Sequence, residues 1–372
     1  MSLRILVAPD KYKGTLSAHE AARAIARGWR AARPDDRITR FPICDGGDGF
    51  GDTMARLLNA RCENAKTVDA ADRPCTSRWW WASKTKSALI ESANVIGLAM
   101  LPSGKHHPFD LDTFGLGRVM IAASAKGASR CILGIGGSAT NDGGFGMARA
   151  IGWVFCDING NPIDRWTHLH RLAKVLPPKK RRLFRNLTVA VDVQNQLLGA
   201  KGCSRIYGPQ KGLKLSDMPA AEKNLRQLAR VMKRQYGMDY SIVPGAGAAG
   251  GLGFGLLAFA NAKMTSGFNL FALHSHLSQE LRHTDLVITG EGALDNSTLM
   301  GKGVGALAQL CQKSQLRCIG LAGRIENRRR LKALFERCHS MLEITTEKNA
   351  LREPARWLEQ AARNVAIEIR PS

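Results

Sequence analysis

No CxxC pair occurs among the nine cysteines, which stand at 44, 62, 75, 131, 156, 203, 311, 318 and 338. No cysteine–histidine cluster has zinc spacing either, so a zinc module and a dense disulfide scaffold are both excluded. Several cysteines lie in apolar runs, as Cys131 does before Ile132-Leu133. They are expected as buried free thiols in a reducing cytoplasm. A clean apolar run of membrane-spanning length is also missing. The N-terminal run stops at Pro9-Asp10-Lys11, too early for the core of a secretory signal. The stretch 243–262 has the length but is dominated by glycine and alanine within an otherwise soluble pattern, so no membrane partner is expected. Acidic residues are scarce, 31 Asp and Glu against 54 Lys and Arg, a formal charge of +23. That balance fits a polyanionic partner or a generally basic surface, and composition does not choose between them. With 44% hydrophobic and 23% charged residues over 372 positions, wholesale disorder is excluded and two or three domains are expected.

Several catalytic signatures are absent too. There is no Walker A loop: Gly301-Lys302 is present, but Asn296 stands where the first glycine belongs. The protein-kinase motif set and the GxSxG elbow are missing, and the nine histidines sit away from the glycine-rich loops. Gly134-Ile-Gly136-Gly-Ser-Ala139 imitates a dinucleotide fingerprint. However, Thr140 to Gly144 makes its loop too long for that turn, and Asp142 would set a negative charge near a pyrophosphate.

What is present alternates. Strands are expected at 4–8, 37–43, 130–134, 187–192, 284–289 and 317–321. Helices are expected at 17–33, where Ser17 and Glu20 form a capping box before Pro34, and at 49–58, 215–236 and 352–369. Residues 76–81 and 87–92 read as paired strands around a Lys-Thr-Lys turn. This predicts an α/β fold of two α/β domains. One is Rossmann-like, with a parallel sheet built from both chain ends, 1–73 and 275–372. The other is an inserted domain with a mixed sheet, 74–274.

Six segments share one grammar, a short apolar run followed by glycine with polar or charged residues. They are 10–14, 45–49, 134–144, 192–212, 245–251 and 290–302. Ligands of parallel α/β folds bind beyond the carboxyl ends of the strands, and glycine lets backbone N–H groups approach an anion. These loops interleave Asp10, Asp45, Asp48, Asp142, Asp192, Glu291 and Asp295 with Lys11, Lys13, Arg205, Lys211 and Lys302. That is the equipment of phosphoryl transfer to a small hydroxy acid: metal ligands, cations for phosphate and carboxylate, and a base for the hydroxyl proton.

The motifs Ala8-Pro-Asp-Lys-Tyr-Lys-Gly14, Asp45-Gly-Gly-Asp-Gly49, Gly134 to Gly144, Gly208-Pro-Gln-Lys-Gly212, Pro244 to Gly251 and Thr289-Gly-Glu-Gly292 resemble, in order and over essentially the whole chain, the bacterial glycerate kinase family of the glycerate 2-kinase type. The resemblance implies ATP and Mg²⁺ as cofactors and D-glycerate as the acceptor, giving 2-phosphoglycerate, with the active site where the domains meet. Asp192, Lys13, Asp45 and Asp295 are the expected catalytic residues, with Asp192 and Asp45 as metal ligands. Ser138, Thr140, Asn141, Asp142, Gly143, Lys211, Gly247, Gly250, Glu291 and Lys302 are expected to bind the cofactor. Three positions depart from the family pattern: Gln196 replaces proline, Ala293 replaces arginine and Arg118 replaces glutamate. Two alternatives stay open, a kinase of another small hydroxy acid and a kinase-like chain that binds polyanions through its basic surface. No nucleic-acid partner is expected, the cluster Lys179 to Arg182 is read as a solvated face, and a homo-oligomer is left open.

Overall fold

The computed structural model describes residues 2–44, 49–179 and 182–369. The chain divides into two compact units, Met1–Asp45 with Phe268–Ser372, and Gly46–Gly267.

The first unit begins with β1 (Arg4–Val7) and β2 (Arg37–Arg40), which pair in parallel around the helix Ala18–Ala32. The capping box forms as expected: Ser17 Oγ accepts from the Glu20 N–H at 3.3 Å, and Glu20 Oε2 accepts from the Ser17 N–H at 2.9 Å.

The second unit follows. Its strands are β3 (Arg61–Val68), β4 (Pro74–Ala82), β5 (Ser87–Glu91), β6 (Arg130–Gly134), β7 (Val154–Cys156), β8 (Lys174–Leu176), β9 (Asn186–Ala190) and β10 (Lys263–Thr265). Six of them form one mixed sheet in the order β10-β9-β6-β5-β4-β3, and β7 and β8 pair apart. The β3–β4 and β4–β5 pairs are antiparallel and the others in the large sheet are parallel. β3 pairs along its whole length with β4, Arg61 opposite Trp81 and Val68 opposite Pro74. That pairing draws 61–68 into the second unit, so the first boundary lies at 45 and not near 73. β3 has no strand signal in the sequence, because Arg61, Glu63, Asn64 and Lys66 leave it without a continuous apolar run. Two cores fill this unit. One packs the sheet against the helix Phe114–Ala125, and the other gathers Phe145, Phe155, Phe254 and Phe259 beside the helix Met218–Tyr236.

The chain then returns to the first sheet with β11 (Leu286–Leu294), β12 (Arg317–Ile325) and β13 (Arg337–Ser340), giving the all-parallel order β13-β12-β11-β1-β2. The helix expected at 352–369 forms as Pro354–Glu368, with Pro354 at its start where the missing N–H costs nothing, and a short helix Glu347–Arg352 precedes it. The helices Ala18–Ala32 and Pro354–Glu368 pack very closely. A Cβ on Gly28 would fall 2.0 Å from the Glu359 carbonyl oxygen, so only glycine permits the approach.

The Gly/Ala stretch near 250 is the helix Ala248–Ala260, whose residues 249–251 are left-handed. Among the described residues no helix is long and apolar enough to cross a membrane. Seven of the nine cysteines are buried.

Candidate active site

Parallel pairing brings three chain segments to one edge of the second sheet. Glu91 stands opposite Gly134, and Gly134 opposite Ala190. The carboxyl ends of β5, β6 and β9 therefore finish level, and the loops leaving them start side by side. That edge is where parallel α/β sheets bind ligands. Asp192, two residues past β9, is half-buried and its Oδ1 accepts from the Gly267 N–H at 3.0 Å. Glu91 ends β5, and its Oε1 accepts from the Gly51 N–H at 2.9 Å. The sequence reading recognised this strand but passed over Glu91. The available signal was a carboxylate closing an apolar strand, the same signal that singled out Asp192.

The loop from β6 is built around Asp142, which is fully buried. Its Oδ2 accepts from the Thr113 N–H at 2.9 Å, the Thr113 hydroxyl at 2.7 Å and the Gly146 N–H at 2.9 Å, and its Oδ1 from the Gly144 N–H at 3.1 Å. Burial pushes this carboxyl above its ordinary value, while the hydrogen bonds from Gly146, Thr113 and Gly144 pull it back. With four protein donors in place, Asp142 shapes the loop. Two of the expected glycines also turn their N–H groups inward. The Gly143 N–H donates to the Gly250 carbonyl at 3.1 Å, and the Gly247 N–H to the Asn195 carbonyl at 2.8 Å. Those N–H groups are therefore spent inside the fold. Gly250 is held so close to the loop that a Cβ on it would lie 1.9 Å from the Thr140 carbonyl oxygen. Asn141 is buried, with Nδ2 donating to Ser204 Oγ at 2.9 Å. The exposed tip of the loop is Gly136-Gly137, just before Ser138.

Lys211 is buried beneath this loop. Its Nζ donates to Ser138 Oγ at 3.1 Å and to the Thr140 carbonyl at 2.7 Å. Burial pulls its ammonium down to about 8, against the opposing pull of Cys203 and Asp142. Ser138, Thr140 and Lys211 are thus brought together as expected. The Thr140 Oγ1 and Asn141 Oδ1 atoms are buried without a hydrogen-bond partner among the described residues.

Asp112 lies beside Asp142. Burial, and then the charge of Asp142, push its carboxyl up to about 6, against the Phe114 N–H and Arg149. A carboxyl raised in the folded state stabilises the fold fully below its ordinary value, and that contribution is lost as pH rises through about 6. Asp112→Asn keeps an oxygen for the Phe114 N–H and removes the charge. The variant is expected to exceed the parent in stability at pH 7.5 by on the order of 2 kcal/mol, with the gap closing near pH 4. Denaturant melts at the two pH values check this, and equal stability at pH 7.5 contradicts it.

In the first unit, a cavity of about 560 Å³ opens at the carboxyl ends of β1, β11 and β12. Tyr12 anchors its rim. The buried phenol donates to the Leu321 carbonyl at 2.8 Å, and the Tyr12 N–H donates to the Leu16 carbonyl at 2.8 Å. That turn leaves Lys11 and Lys13 lining the cavity with Asp10, Glu291, Asp295 and Arg324. Met341, Leu342 and Leu351 supply apolar wall. Glu291 Oε1 accepts from the Thr298 hydroxyl at 2.9 Å. Asp295 caps the short helix Asn296–Leu299, its Oδ1 accepting from the Ser297 N–H and hydroxyl, both at 2.6 Å. Burial pushes its carboxyl up, but the bonds from Ser297 and Thr298, with Arg324 nearby, hold it below its ordinary value. Held below its ordinary value, this carboxylate is a weak proton acceptor, and it caps the helix while lining the cavity. Lys302 is half-buried and does not line the cavity. Asp45 and Asp48 lie outside the described residues, as do Lys180 and Arg181 of the basic cluster, whose Lys179 and Arg182 are exposed. Among the described residues no three carboxylates, histidines or cysteines gather as a metal site.

Carboxylates and lysines gather at parallel strand ends, and the chain carries neither a P-loop nor the protein-kinase motifs. The glycerate kinase family model matches residues 5–370. The chain is 35% identical to glycerate kinase of Halalkalibacterium halodurans, over 98% of this chain and 97% of that one. It is 37% identical to glycerate 2-kinase of Escherichia coli, over 86% and 85%. A crystal structure described as a glycerate kinase 2 from Salmonella typhimurium LT2 superposes with a TM-score of 0.83 at 32% identity, covering 99% of this chain and 98% of that one. The chain belongs to the glycerate kinase family.

Proposed function

We propose that the chain transfers the terminal phosphoryl group of ATP to D-glycerate in the cytoplasm, giving 2-phosphoglycerate. The observation that carries this reading is the level finish of β5, β6 and β9, which sets Glu91, the 134–144 loop and Asp192 on one sheet edge. Phosphoryl transfer asks a protein for positioning and charge neutralisation more than for covalent chemistry. Asp192 takes the hydroxyl proton or holds Mg²⁺. Mg²⁺ is held through one or two carboxylates plus substrate phosphates and water, a role for Asp192 and Asp45. Mg²⁺ would draw charge from the phosphate oxygens. Lys211 fixes the Ser138–Thr140 backbone and lends it a buried positive charge. Lys13, exposed on its cavity, serves as the mobile cation for phosphate or carboxylate.

The test is ADP release with each component omitted in turn. ADP should appear only when ATP, Mg²⁺ and D-glycerate are all present, and enolase added alone should convert the product, since enolase accepts the 2-phosphate and not the 3-phosphate. One observation favours a second reading: Ala293, which lines the first-unit cavity, stands where the family pattern has arginine. Release indifferent to glycerate but responsive to another hydroxy acid would select that reading and keep the kinase.

A further inference from the structure

We propose that the second unit carries an additional anion site, separate from the strand-end loops, that takes a small organic di- or triphosphate. A cavity of about 820 Å³ opens between the helix Cys203–Lys211 and the helix Met218–Tyr236. Neither Asp192, nor Lys211, nor any residue of the 134–144 loop lines it. Arg205 reaches it from the first helix, and Lys223, Arg226 and Arg230 from the second. The last three are spaced i, i+3 and i+7, which stacks them on one helix face. All four are exposed.

The only carboxylate in the lining is Glu222. It is buried, and its Oε2 accepts from the Gly199 N–H at 3.3 Å and pairs with Arg226 at 3.7 Å. Arg205, Lys223 and Arg230 have no ion pair among the described residues. Like charges at helical spacing repel and weaken a helix. On a convex surface, water and salt screen that cost. Here the four cations converge in a concave site, where field lines focus and an anion gains most. The volume lies in the range of small-ligand pockets, and guanidinium groups match phosphate oxygens in paired geometry. A phosphate ester with at least two phosphates satisfies the four cations, whereas a monocarboxylate does not. Nucleotides and sugar bisphosphates share this chemistry.

The experiment titrates inorganic tripolyphosphate, ADP and a hexose bisphosphate into the full chain by calorimetry, with the catalytic nucleotide site saturated by a non-hydrolysable ATP analogue and Mg²⁺. At least one should bind, and which of the two organic phosphates does so separates nucleotide from sugar. R226Q/R230Q, two exposed positions changed to a good helix former, should weaken binding about tenfold or more and leave turnover unchanged. E222Q removes the one opposing charge and should tighten binding. A merely structural role for Glu222 would lower the melting temperature without tightening. No binding, or equal affinity in R226Q/R230Q with normal circular dichroism, overturns the proposal. So does binding of an RNA oligonucleotide with none of the three small anions. Failure of the kinase reading would show separately, as no ADP release.

Discussion

Asp192→Asn is expected to lower kcat by about 10²–10⁴, the range for losing a general base, while the protein keeps its melting temperature. The amide is the same size, and its oxygen still accepts from the Gly267 N–H that the carboxylate holds at 3.0 Å. What is lost is the negative charge and the ability to take a proton. The two roles separate by titrating Mg²⁺. If Asp192 is the base, the loss persists at saturating metal. If it chiefly holds the ion, raising Mg²⁺ restores part of the rate. Asp192→Ala is the contrasting variant, because it also leaves the Gly267 N–H without its acceptor and should lower the melting temperature. Near-normal kcat in Asp192→Asn would remove the residue from the chemistry and pass its role to Glu91 on the neighbouring strand end.

Gly250→Ala is expected to cost about 3 kcal/mol or more, from overpacking against backbone and from a left-handed conformation that a side chain resists. Gly250 has φ +68°, and its new Cβ would lie 1.9 Å from the Thr140 carbonyl oxygen and 2.8 Å from Asn141 Cα. Both neighbours are main chain and cannot rotate aside. Relief must come from moving the 138–144 loop, whose Thr140 carbonyl also holds Lys211. Activity should therefore fall together with stability, and faster than stability alone explains. Gly136→Ala is the control. It lies at the exposed tip of the same loop, with nothing within 4 Å of the added Cβ, and should change stability by less than about 0.5 kcal/mol. Chemical denaturation of the pair, with kcat measured on each, checks both statements. Equal midpoints for the two variants would mean that the loop is looser than its contacts indicate.

Elements with strong local signals were legible in the sequence. Ser17 and Glu20 announced a helix start that forms atom for atom, and Leu187 to Val191 announced the strand that carries Asp192. Elements whose signal is non-local were not. β3 carries three charged residues in eight and exists because β4 lies beside it. The helix Ala248–Ala260 hides behind glycines that read as a loop, since three left-handed residues precede its regular turns. The site divides along the same line. Residue type and loop position placed Asp192 at a strand end, Lys13 on a cavity, and Ser138, Thr140 and Lys211 in one cluster. They did not distinguish an aspartate offered to a ligand from one consumed by the fold. Asp142 and Asp295 were chosen on composition, and only their hydrogen bonds identify them as loop-shaping and capping groups. Glu91 was overlooked because its loop carries no glycine run. The register that sets it opposite Gly134 is a property of the paired sheet and not of the strand alone.

The division of the chain has a consequence for its synthesis. β1 needs β11 as its neighbour, and the helix Ala18–Ala32 needs the helix Pro354–Glu368 against Gly28. Both partners come late in the chain, beyond Gly267. At about 5–20 residues per second, the first strand waits roughly 10–60 s for them. The unit Gly46–Gly267 is continuous in the chain and completes its sheet in the meantime. During that interval Ile5, Leu6, Val7 and Trp29, all buried in the finished protein, are held in the nascent chain without their native cover. The first unit therefore closes only once the segment from Leu286 onward has been made, and the apolar strand β1 is the part of the chain exposed to misassociation until then.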